Sequence, residues 1–258
     1  MKAGLLGFAA TSGQEECVLN RKLVLATTLC LLSFVAVTNV AFAVPFFAET
    51  VKQAVFLSPL EEWMPTWHFE EYVSILEKAG YQVDVFLSEN VSISFLKTGL
   101  AGYDLIILRT DSFTEEGMNY YCSGEPATFE ARKEYAVAIS THEIQVGACV
   151  GFSAAFIQNN YPANSLRNGL VQVIDGYSAD LSWAFLKAGS AAYMGYYDAG
   201  SLRFGRMDAL SIEWLKYLAQ GYTVKDATLR LYLYLNQGHG HTATWPAVFL
   251  YGDQNFKI

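Results

Sequence analysis

The chain has 258 residues and only four histidines and four cysteines, so the placement of these side chains narrows its chemistry. His142 and Cys149 stand close together, and on the arms of a hairpin they could face each other. An imidazole beside a thiol suffices for acyl transfer once an oxyanion hole completes the site. Cys149 also reads as a buried strand residue in Gly147-Ala148-Cys149-Val150-Gly151, or as half of a disulfide with Cys122. His239-Gly240-His241 places two imidazoles on the same side of an extended segment, an arrangement that suits a metal ion. No third ligand is evident in sequence, although Asp253 or Asp111 could approach. The alternative is a pair of loop histidines near Pro246. Asp104, Asp111, Asp175 and Asp180 surround two expected strands. If Asp111 and Asp175 converge, they could hold a cation through oxygen or work as an acid/base pair. Otherwise the four are helix caps and solvated acids. Ser178 reads as a nucleophile lacking a nearby histidine, or as the cap of a helix starting near Ala179.

The elements that must position these groups alternate along the chain. Ala54 to Ser58 is a short apolar run suited to a buried strand. A helix follows, with Phe69, Tyr72, Val73 and Leu76 on one face, and it stops at Gly80. Gln82 to Leu87 alternates as a strand, and Ser92 to Leu100 suits a short helix. Leu105 to Leu108 is continuously apolar, as expected for a central parallel strand covered on both faces. Residues 112–168 break the rhythm. Tyr135 to Thr141 and Gln145 to Val150 are β-like runs around His142-Glu143, which predicts a β-hairpin insertion after the third strand. Alternation returns with a strand at Leu170 to Ile174. A helix over Leu181 to Ala188, a strand at Ala191 to Tyr196 and a helix capped by Asp208 follow. A last helix starts at Thr223, and the closing strand is Val248 to Tyr251. Strands alternating with helices predict an α/β fold with a doubly wound, mainly parallel sheet.

Hydrophobic residues make up 52% of the chain and charged ones 16%, too apolar for disorder and ample for a core. A net charge of −8 with no basic run argues against nucleic-acid binding. Arg21-Lys22 precedes an uncharged stretch from Leu23 to Ala48, and Ala41-Phe42-Ala43 places small residues before a cleavage point. Residues 1–43 therefore read as a secretory signal peptide, or, uncleaved, as a membrane anchor over residues 23–48. Glu15, Glu16 and Cys17 are unusual ahead of the basic pair, which suggests a true start at Val18. Removing residues 1–43 leaves Cys122 and Cys149, an even pair that outside the cytoplasm suggests a disulfide. The remainder, 44–258, is expected to be one domain with 112–168 as its insertion.

Several runs, in order, resemble the caspase-like fold in its gingipain-type cysteine peptidase branch. Ala184-Phe185-Leu186-Lys187-Ala188-Gly189-Ser190-Ala191-Ala192-Tyr193-Met194-Gly195-Tyr196 is similar to that branch's helix-to-strand run, A-F-x-x-x-G-A-x-x-x-x-G-W. Leu218 to Ala227 resembles L-x-x-G-x-T-V-x-E-A, and Phe249-Leu250-Tyr251-Gly252-Asp253 resembles the closing L-Y-G-D. Tyr103 to Ser112 resembles a third-strand run that usually ends R-x-H-S, and Cys122-Ser123-Gly124-Glu125-Pro126 resembles a T-S-E-P-Y segment. The resemblance implies a histidine base after the third strand and a cysteine nucleophile after the fourth. The histidine position falls on Asp111 and the cysteine position on Ile174 to Gly176, so both dyad positions are substituted. What it then implies is a degenerate peptidase homologue, secreted or anchored. It would bind a peptide or protein in a cleft formed by Arg109, Asp111, Asp175, Tyr177 and Ser178. The alternatives are an active cysteine hydrolase using His142 and Cys149, or a metal-dependent activity at His239 and His241. No cofactor other than that metal is implied, and a membrane is implied only through the N-terminal segment.

Overall fold

The computed structural model describes residues 51–62, 69–197, 204–235 and 247–258. The leader over residues 1–43, the anchor over 23–48, the start at Val18 and the metal pair His239/His241 lie outside the described residues. Within Val51–Ile258, which form one compact unit, the first strand is β1 (Lys52–Ser58). It is followed by α1 (Phe69–Lys78), β2 (Tyr81–Leu87), α2 (Ile93–Thr98) and β3 (Leu105–Arg109). After the insertion come β8 (Leu170–Ile174), α6 (Ser182–Ala188), β9 (Ala192–Tyr197), α7 (Phe204–Ala219), α8 (Val224–Tyr234) and β10 (Ala247–Gly252). The insertion itself carries β4 (Ser112–Glu115), β5 (Met118–Cys122), α3 (Phe129–Glu134), α4 (Ala136–Ser140), β6 (Ile144–Val146), β7 (Val150–Phe152) and α5 (Ala154–Asn160).

The main sheet runs β10-β9-β8-β3-β1-β2, parallel throughout except for the antiparallel β10–β9 pair. This is the α/β architecture expected from the alternation of strands and helices. Side chains of successive strand residues point to opposite faces of the sheet. Val55, Leu57, Ile106, Leu108, Val171 and Val173 therefore pack on one face, with α2, α5 and α6. Ala54, Phe56, Leu105, Ile107, Leu170 and Ile174 pack on the other, with α1, α7 and α8. Both faces are covered, which is why the inner strands are largely apolar, with Gln172 of β8 a buried polar exception. Gly80 and Gly189 end α1 and α6 with positive φ, +88° and +115°, a conformation that costs glycine no steric clash.

The insertion is larger than one hairpin. It forms a four-stranded antiparallel sheet in the order β4-β5-β7-β6. It includes a hairpin, β6–β7, but not with the expected arms: Gln145 to Val150 is split between β6 and β7, and Tyr135 to Thr141 is not a strand, since residues Ala136–Ser140 form α4. Tyr135, Ala138 and Ile139 pack against the core, a spacing of three and four residues that defines a helical face. A five-residue run of mixed apolar and small residues fits either period, and tertiary packing decides between them. Asp208 also differs from expectation. It lies inside α7 rather than at its cap, buried against Arg109.

Candidate functional site

The carboxyl ends of β3 and β8 meet where the insertion leaves the sheet. Arg109, the last residue of β3, is 2% exposed. Its Nε donates to both carboxylate oxygens of Asp208, at 3.0 and 3.1 Å, and its Nη1 donates to Ser58 Oγ at 3.4 Å. Arg109 was expected in the binding cleft; instead it ties β3 to α7 beneath the strand ends. Asp111, two residues on, is exposed and accepts from the Ser112 N–H at 2.9 Å. Asp104, at the opposite end of β3, is occupied by the Gln53 N–H and by Arg167.

Asp175 follows β8 and is 1% exposed. Its Oδ2 accepts from the Tyr177 N–H at 2.8 Å and from Ser112 Oγ at 3.0 Å. Burial pushes this carboxyl up, these hydrogen bonds pull it back, and the nearby Asp111 carboxylate adds a further upward push; the result is about 6. Asp111 and Asp175 are thus close enough to repel one another. Tyr177 is 44% exposed, and its carbonyl accepts from Tyr121 Oη at 2.9 Å. Asp180 is held by Asn119 Nδ2 at 2.6 Å.

Ser178 is fully buried and neither lines an open cleft nor caps a helix with its side chain. Its hydroxyl donates towards the Val173 and Asp175 carbonyls, each at 3.0 Å, and accepts from the Tyr196 N–H at 2.8 Å. A methyl at Gly195 would stand 2.9 Å from that oxygen, so the glycine lets β9 approach. Ser178 therefore braces the end of β8 against β9, and both the nucleophile and the cap readings give way to that role.

The displaced His142/Cys149 pair is also corrected. Cys149 is joined to Cys122 by a disulfide, so its sulfur is not a thiol. Pairing of β5 with β7 sets Cys122 opposite Gly151, two residues from Cys149, and so brings the sulfurs together. His142 is exposed at the turn after α4, with φ +58°, and its carbonyl accepts from Ser153 Oγ at 2.7 Å.

Between the insertion and the ends of β1, β2 and β3 lies a cleft of about 580 Å³. Glu62 follows β1, Glu89 follows β2 and Asp111 follows β3, so three strand ends contribute a carboxylate each. Cys122 and Cys149 form part of the facing wall, with Ser123, Gly124 and Glu125. Glu125 is engaged: its two oxygens accept from the Ile93 N–H at 2.8 Å and from Tyr135 Oη at 2.7 Å, which fastens the insertion to α2. Gly124 packs so closely on the Ser88 carbonyl that a methyl there would sit 1.8 Å from its oxygen. Of the residues expected in the cleft, the structure places only Asp111 in its lining. Glu62 and Glu89 have no counterpart in the sequence reading, whereas the Cys122–Cys149 disulfide considered there is present and forms part of the cleft wall. The signal that could have found the two glutamates is their place at carboxyl ends of parallel strands, where open α/β sheets bind ligands.

No family model matches the chain, and no curated protein matches it. Among solved structures it is similar to the Drosophila initiator caspase Dronc, with a TM-score of 0.37 and 9% sequence identity over 80% of each chain. A likeness this weak carries no weight here; the α/β class rests on the strand order and the two covered faces of the sheet.

Proposed function

We propose that the chain is an extracytoplasmic, caspase-like domain of the gingipain-type branch that has lost peptidase chemistry and works by binding a peptide or protein. One observation carries the reading. The described cysteines are consumed in a disulfide, and the positions that the resemblance assigns to the dyad are Asp111 and Ile174 to Gly176, none of them a histidine or cysteine. Carboxylates at these positions cannot activate a thiol, because a like charge disfavours the thiolate. The cleft that Asp111 lines is open, mixes apolar residues with carboxylates, and is large enough for several side chains of an extended ligand. The Cys122–Cys149 bond supports an oxidising compartment, in keeping with the leader-like N-terminus.

The test is a thiol-directed peptide probe applied to the purified full chain, alongside capture from a peptide library. The expected result is no covalent labelling, together with reversible capture that weakens in Glu89→Gln. Labelling abolished by Cys149→Ala, accompanied by cleavage of the captured peptide, would instead favour a cysteine hydrolase. The reading uses no cofactor, and zinc uptake lost in a His239→Ala, His241→Ala double variant would overturn that part. A mature N-terminus at Val44 in a secreting host is expected; recovery of the chain with residues 23–43 attached would favour an anchor.

A further inference from the structure

The disulfide sits where a structural clip is least needed. The strands it joins are already held by the β5–β7 ladder, and Ser123 N–H donates to the Val150 carbonyl at 2.8 Å. Val150 N–H donates to the Glu125 carbonyl at 3.2 Å, and Cys122 is fixed by its N–H on the Asp111 carbonyl at 2.8 Å and by Thr110 Oγ1 on its own carbonyl at 2.8 Å. Both cysteines are largely buried, yet both line the cleft. A small molecule in the cleft therefore has both cysteines and the carboxylates of Glu62, Glu89 and Asp111 around it. Among the described residues lining the cleft there is no Lys, Arg or His to offset these carboxylates.

We propose that the Cys122–Cys149 bond is a thiol–disulfide exchange site and that the acidic cleft selects small cationic thiols for it. The incoming thiolate forms a new sulfur–sulfur bond with one cysteine as the Cys122–Cys149 bond breaks. The electron pair leaves on the other cysteine sulfur, which takes a proton from water. The products are one mixed disulfide and one free thiol, so no further oxidant or reductant is required. An anionic thiol is repelled by these carboxylates, whereas an ammonium group on the thiol is attracted to them and raises the local concentration of the attacking sulfur. The surrounding main-chain hydrogen bonds keep the opened cysteines in place, so exchange proceeds on the folded chain.

The experiment treats the oxidised full chain with cysteamine, 2-mercaptoethanol or 3-mercaptopropionate at matched thiolate concentrations. It is followed by acid quenching, alkylation and peptide mass mapping. Second-order rate constants, each divided by the same thiolate's rate with a small neutral disulfide so that intrinsic nucleophilicity cancels, are expected to fall in that order, with about a tenfold spread between the first and last at low salt. In about 0.5 M salt the spread collapses, as screening shortens the reach of exposed charges. Glu89→Gln, an exposed substitution, narrows the low-salt spread without changing the far-ultraviolet circular dichroism. Equal normalised rates at low salt, the anionic thiol having the highest normalised rate, or one common rate set by unfolding would each overturn the proposal. So would the absence of any mixed disulfide in the folded chain.

Discussion

Asp175 is the residue where burial, hydrogen bonding and charge meet most directly. Its carboxyl takes a proton at about pH 6 in the folded chain, against about 3.8 as its ordinary value. Between those two values the folded state binds more protons than the unfolded state, so this residue's contribution to stability falls as pH rises. Its ionisation at neutral pH costs about 3 kcal/mol. Asp175→Asn keeps an oxygen to accept from Ser112 and Tyr177 and removes the buried charge. The variant is expected to be more stable than the parent at pH 7.5, with the advantage shrinking towards pH 4.5, as read by urea unfolding at both pH values. A difference between the two proteins that does not vary with pH would show that Asp175 is not ionising in this window. Ser178 carries a second lesson at this scale. Its neighbours in sequence suggest a cap, but its hydroxyl is committed by β9, which approaches through Gly195. No local pattern around position 178 records that contact.

At the scale of elements, the strands of the main sheet could be read because they are buried on both sides. Leu170–Ile174 is a strand with the bounds its apolar run gives, and Gly80 and Gly189 end their helices where the glycines stand. The insertion was less legible, since Ala136–Ser140 is too short to reveal its period, and its helix is set by packing of Ala138 and Ile139 on the core. The cleft was least legible, because its lining gathers residues from three strand ends and a disulfide wall. Asp208 reads as a cap until Arg109, 99 residues away, claims it. That pair fixes α7 to the end of β3. Arg109→Met strips the buried carboxylate of its guanidinium and is expected to cost about 3–5 kcal/mol. Adding Asp208→Leu should recover much of the loss, as chemical denaturation of the single and double variants would show. If the single variant is as stable as the parent, the pair does not secure the helix. Gly124 has a comparable role between the insertion and the loop after β2. Gly124→Ala would drive a methyl into the Ser88 carbonyl, and because both partners are backbone the loop must shift. A loss of about 2–3 kcal/mol, with altered peptide capture by the cleft, is the expected result.

For the molecule as a whole, the disulfide has two separable effects. One is local, at the cleft, where neighbouring hydrogen bonds hold both strands whether or not the sulfurs are joined. The other acts through the unfolded chain, where a cross-link between residues 27 apart restricts the ensemble. For a loop of that length the chain-entropy contribution is about 3–4 kcal/mol. Each kcal/mol moves the midpoint of a domain of this size by about 2–4 °C. The reduced chain should therefore remain folded at room temperature while melting about 10 °C lower. A Cys122→Ser, Cys149→Ser double variant should melt near the reduced parent and show no further change with reductant. Differential scanning calorimetry with and without a dithiol reductant measures both quantities. An unchanged midpoint would mean that the bond does not restrict the unfolded chain. Loss of the folded state at room temperature on reduction would mean that the ladder around Cys122 cannot hold the cleft wall alone, and exchange at that wall could not then proceed without unfolding.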